Sequence, residues 1–107
     1  MSYTVVCLDL YCRKTKKDAD PSYRVFVDDQ LVTERIYWPK TPDFVIQEHM
    51  TFIDDNETHT IWVKNIFHDR GKIRVGNIAC FDGDTKQPLD INIENRNGMY
   101  TFTLQKR

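Results

Sequence analysis

Apolar and polar side chains alternate with a period of two along nearly the whole chain, which confines it to β-structure. From Tyr3 to Cys12, one face carries Val6, Leu8 and Leu10, and the other carries Val5, Cys7, Asp9 and Tyr11. Near the opposite end Tyr100, Phe102 and Leu104 alternate with Thr101 and Thr103. Similar segments cover 23–27, 31–38, 44–53, 59–67, 72–81 and 89–94, and no stretch has the 3.6-residue period of an amphipathic helix. The connections between them are short and polar, among them Asp28-Asp29-Gln30 and Asp54-Asp55-Asn56-Glu57. Such connections join antiparallel strands, because parallel neighbours need crossovers of a dozen or more residues. The expected fold is all-β: a two-sheet antiparallel β-sandwich of jelly-roll type with about eight strands. The Cys–Trp–Cys core of an immunoglobulin sandwich is not evident.

A chain of 107 residues makes one domain, spanning 1–107. Its 40% hydrophobic content is enough for a packed core without staples. Fifteen basic against sixteen acidic residues leave a net charge of −1, so no broad positive field is present and nucleic acid is not an expected partner. No apolar run approaches the roughly 20 residues of a membrane-spanning helix, and membrane association is not expected. The start, Met1 to Val6, runs directly into strand-like sequence and does not read as a signal peptide. Cys7, Cys12 and Cys80 are odd in number, and the first two point to opposite faces of one strand. They read as buried free thiols of a chain folded in a reducing cytoplasm.

Polar residues at positions that alternation reserves for apolar ones are more informative. A tight turn at Asp28–Gln30 would pair Val27 with Val32, Val25 with Glu34 and Tyr23 with Ile36, setting Glu34 on the apolar face. Glu48 falls between Ile46 and Met50 in the same way. An unpartnered buried carboxylate costs several kcal/mol, so each must protonate or find an arginine or tyrosine. We read both as structural interior carboxylates, paired with Arg24, Arg35 or Tyr23 or displaced by a β-bulge. Their use as an acid–base pair would need both to open on one cleft. Asn65 and Asn77 interrupt their stripes similarly and read as bulges or internal hydrogen bonds. His49, His59 and His68 have no metal-ligand spacing and read as surface residues. With no nucleophile pattern and no phosphate-cradling glycine loop, no catalytic residue is assigned and a non-enzyme is expected.

Three constellations could carry binding. Tyr37 and Trp38 end a strand and are stiffened by Pro39 and Pro42, so they can present aromatic planes to a sugar ring or a protein. Trp38 also shares parity with Val32 and Ile36, which leaves a core position equally open. Asp82 and Asp84 of the DGD loop suit calcium by chemistry, but supply too few of the six to eight oxygens it takes, and the same loop is a good turn for conformational reasons. The basic run Arg13 to Lys17 is offset by Asp18 and Asp20 and reads as a solvated loop.

The succession YRVFVDDQLVTERIYW, FVIQEHMTF, HTIWVKNI and KIRVGNIACFDGD, over residues 23–84, resembles small accessory β-sandwich proteins of tailed bacteriophage particles. It is also similar to jelly-roll carbohydrate-binding modules, some of which use calcium. It departs from the first pattern at Asp29-Gln30, where a glycine is usual, and from the second by lacking a complete calcium shell. The phage resemblance implies a virion structural or attachment protein, folded in the host cytoplasm and acting through protein–protein contacts or self-assembly. Outside that setting the sequence reads as cytoplasmic. The second resemblance implies a glycan ligand stacked on Tyr37 and Trp38, with calcium as a helper.

Overall fold

A computed structural model describes residues 2–12, 21–36, 45–66 and 73–106. Within them lie nine strands: β1 (Tyr3–Tyr11), β2 (Ser22–Val27), β3 (Gln30–Ile36), β4 (Ile46–Ile53), β5 (Thr58–Asn65), β6 (Arg74–Asp82), β7 (Pro88–Leu89), β8 (Glu94–Arg96) and β9 (Met99–Thr103). They form a four-stranded sheet ordered β4-β1-β6-β7 and a five-stranded sheet ordered β3-β2-β5-β9-β8. Every pairing is antiparallel. The chain crosses from one sheet to the other between β1 and β2, β3 and β4, β4 and β5, β5 and β6, and β7 and β8, which gives the expected two-sheet antiparallel arrangement of a sandwich, while β2–β3, β6–β7 and β8–β9 pair within a sheet. The stretch expected as one strand over 89–94 is divided. Its start pairs with β6 and its end with β9, and residues 90–93 cross between the sheets.

Alternation fills the space between the sheets. Val6, Leu8 and Leu10 of β1 cluster with Phe52 and Cys80 from their own sheet. From the other sheet come Tyr23, Val25, Ile61 and Phe102. Full burial of a side chain such as Leu8 or Ile61 is worth roughly 1.5–3 kcal/mol, so this stripe dominates the folding energy. Ile73, just before β6, and Val75, Ile78 and Cys80 on it form the inward set, with the break in spacing taken up by a register shift opposite Leu8–Leu10. Asn77 sits in that bulge, while Asn65 exchanges two side-chain hydrogen bonds with the Ile73 backbone. Each asparagine therefore takes one of the two roles its position allowed.

The β2–β3 hairpin departs from the register expected of it. Asp28 and Asp29 form a two-residue turn with φ of 49° and 66°, so Val27 pairs with Gln30 and Phe26 with Leu31. The register then shifts at Val32, and Val25 faces Thr33, Arg24 faces Glu34 and Tyr23 faces Arg35. A one-residue slip moves a strand's side chains to the other face. Glu34 is therefore not an interior carboxylate: it lies on the outer face, 52% exposed, with its Oε1 3.4 Å from Arg24 Nη2. The same slip sets Arg35 opposite Tyr23, where its Nε can reach across the margin between the sheets while the side chain stays over half exposed.

Candidate functional site

Three side-chain groupings stand out. At the lateral margin where β3 and β4 lie, Glu48 projects inward beside Leu8 and is buried. Its Oε1 accepts a hydrogen bond of 2.7 Å from Tyr23 Oη and a second of 2.5 Å from Arg35 Nε. The carboxylate thus joins β4 of one sheet to β2 and β3 of the other. A charged acceptor with two donors, one of them a guanidinium, offsets its desolvation and holds the sheets in one relative position. With Glu34 outside and Glu48 inside, the two carboxylates share no cleft.

The outer face of the five-stranded sheet carries an apolar strip across four strands. Leu31 of β3 faces Phe26 of β2, Phe26 faces Trp62 of β5, and Trp62 faces Met99 of β9. The Phe26 and Trp62 rings stack at 5.4 Å between centroids with 29° between planes, and Lys64 Nζ lies 5.5 Å from the indole centroid. At the strip's end, β3 exposes Leu31, Val32 and Ile36 to 50%, 51% and 58%. Sequence reading missed this strip. Its signal was present in the aromatic residues at outward parity, Phe26 between Val25 and Val27 and Trp62 between Ile61 and Val63, but only the register makes them neighbours.

The third grouping surrounds His59, whose ring is largely covered by Phe52 and Phe102, with centroids at 5.0 and 6.2 Å. Nδ1 lies 2.7 Å from Asp28 Oδ2 in the β2–β3 turn, and Nε2 lies 3.1 Å from Asp55 Oδ1 in the β4–β5 corner. Burial pulls the histidine pKa down, but the hydrogen bonds and charges of the two carboxylates outweigh it and hold it above the ordinary 6.5. The His59 hydrogen bond, followed by the Glu57 backbone N–H, holds Asp55 below its ordinary 3.8. His59 is thus a half-buried, doubly paired group and not the surface residue expected.

Tyr37 and Trp38 lie outside the described residues. Asp82 and Asp84 lie in a turn in which Asp82 Oδ1 accepts from the backbone N–H groups of Asp84 and Thr85 at 2.8 and 3.0 Å. Lys86 Nζ donates to the Gly83 carbonyl at 2.9 Å, so a cation already occupies part of the loop's oxygen surface. A Cβ on Gly83 would come within 2.9 Å of Tyr3 Cβ, which explains the glycine by space. Among the described residues no three His, Cys, Asp or Glu side chains are grouped to hold a metal, and no helix is long and apolar enough to cross a membrane. The three cysteines are buried, and burial pushes the Cys7 and Cys80 thiols up, away from the nucleophilic thiolate. On the margin away from β3, a cavity of about 540 Å³ is lined by Asp54, Asp90, Glu94 and Thr101 among others. At its wall Thr4 Oγ1 donates to the buried Asp54 carboxylate at 2.6 Å. Comparison with protein-family models, with curated proteins and with solved structures finds no match for the chain.

Proposed function

We propose that this chain is a non-enzymatic interaction domain that docks on a protein partner, or on further copies of itself, through the β3 margin and the adjoining outer face of the five-stranded sheet. The observation that carries this is the exposure of Leu31, Val32 and Ile36 on one edge strand, of which Leu31 adjoins Phe26 and through it Trp62. Apolar side chains in water gain about 25 cal/mol for each Å² covered, and tryptophan is prominent among residues that dominate interface energies. The bulge at Val32 and the charges of Glu34 and Arg35 are devices that discourage open-ended strand addition. Contact is therefore through side chains of the strip and not through a continued hydrogen-bond ladder. The setting is the one the resemblance over residues 23–84 suggests: an accessory or attachment component of a bacteriophage particle, folded in the host cytoplasm.

Sedimentation velocity over a wide concentration range tests this, together with immunodetection of the chain in gradient-purified particles. Leu31→Glu with Ile36→Glu, both at exposed positions, is expected to leave the fold intact and abolish association. A wild-type chain that stays monomeric throughout and is absent from particles overturns the reading.

The alternative of a sugar stacked on Tyr37 and Trp38 with calcium is tested by a glycan array containing calcium. Binding lost in Trp38→Ala supports it, and no binding removes it. The Phe26–Trp62 pair favours the protein reading, because the rings face one another and Lys64 covers the indole, leaving less flat surface for a sugar.

A further inference from the structure

Both ring nitrogens of His59 point at carboxylate oxygens, and an ionised carboxylate can only accept. The geometry is therefore complete only when both nitrogens carry protons. We propose that His59 is a proton-operated latch on the β4–β5 corner: the imidazolium binds Asp28 and Asp55 together, and loss of its proton releases Asp55.

The direction of release follows from the contacts. The Asp28 contact is shorter, 2.7 Å against 3.1 Å, and Asp28 is held independently, with Oδ1 accepting from Thr60 N–H at 2.9 Å and its own N–H donating to the Thr60 carbonyl at 3.0 Å. The remaining proton stays on Nδ1, and the bare Nε2 lone pair then faces Asp55 Oδ1. From β4 and β9 the uncharged rings of Phe52 and Phe102 pack against it, and among the described residues the charged groups acting on it are Asp28 and Asp55. The corner that Asp55 secures also holds the segment after β9. Asn56 N–H donates to the Leu104 carbonyl at 2.8 Å, Leu104 N–H to the Glu57 carbonyl at 3.2 Å, and Lys106 N–H to Asn56 Oδ1 at 2.8 Å. Release of Asp55 loosens the docking of Leu104–Lys106.

The pH window is set by the two directions of shift. The folded histidine pKa lies above the unfolded one, so its stabilisation is full below about 6.5 and is lost as pH rises through the folded value. The folded Asp55 pKa lies below the unfolded one, so its share is present above about 3.8 and is lost as pH falls through the folded value. The latch is closed between these limits and opens on the alkaline side. It does not depend on the proposed docking surface, and it is read on the isolated chain.

Imidazole ¹⁵N NMR and amide hydrogen exchange across the titration test it. The expected result is a His59 pKa above that in the urea-unfolded chain and a neutral form protonated on Nδ1. Protection at the Asn56 and Leu104 amides is expected to fall by about threefold or more, while Thr60 keeps its protection. In His59→Gln, or in Asp55→Asn, the protection of Asn56 and Leu104 no longer changes with this titration. A neutral form protonated on Nε2, a pKa at or below the unfolded value, or unchanged protection in the wild type overturns the proposal.

Discussion

Glu48 draws one donor from each of two strands in the opposing sheet, so its removal acts on the relation between the sheets as well as on a single bond. Glu48→Ala removes the shared acceptor of the Tyr23 hydroxyl and the Arg35 guanidinium and leaves a cavity between the sheets. It is expected to cost about 2–4 kcal/mol in urea unfolding. Tyr23→Phe removes one donor and leaves the Arg35 contact, so it is expected to cost only about 0.5–1.5 kcal/mol. Equal losses for the two would mean that Arg35, over half exposed, contributes little. The inward position of Glu48 was legible from its place between Ile46 and Met50. That of Glu34 was not, because its face depends on the slip at Val32, and no residue in TERI announces it. The role of His59 was likewise hidden, since its partners come from turns 31 and 4 residues away.

At the level of elements, the β2–β3 hairpin combines a turn made for glycine with residues that are not glycine. Asp28 and Asp29 both hold positive φ, a conformation that costs ordinary residues roughly 1–2 kcal/mol each. Asp28 uses its side chain to bind β5 and His59, whereas Asp29 is exposed at the tip. Asp29→Gly is therefore expected to raise stability by about 0.5–1 kcal/mol, part of the relief being offset by the entropy of glycine in the unfolded chain. A loss of stability in chemical denaturation would show that Asp29 has a role beyond the turn. By contrast, the β8–β9 turn has Asn97 at 55° and Gly98 at 84°, the pair such turns favour. Strand positions were readable because alternation repeats over many residues. The division between β7 and β8 was not, because a crossing between sheets leaves the parity of a short apolar run unmarked.

Across the whole molecule, two short strands and two long ones form the sheet margins. β7 and β8 offer little unpaired backbone, while β3 and β4 are long and lie on the side joined by Glu48. Of these, β3 carries the most exposed apolar residues and opens onto the aromatic strip, which gives the molecule one face suited to contact. The two-sheet architecture was legible in the sequence, but the proposed docking face was not, because Leu31, Phe26, Trp62 and Met99 become neighbours only through three separate pairings. Oxidative footprinting of the chain in purified particles, compared with the free chain, tests the docking face directly. Docking through β3 predicts protection of Leu31, Ile36, Trp62 and Met99 while Tyr11 on the opposite sheet stays reactive. Equal labelling of those four side chains in both states would contradict it.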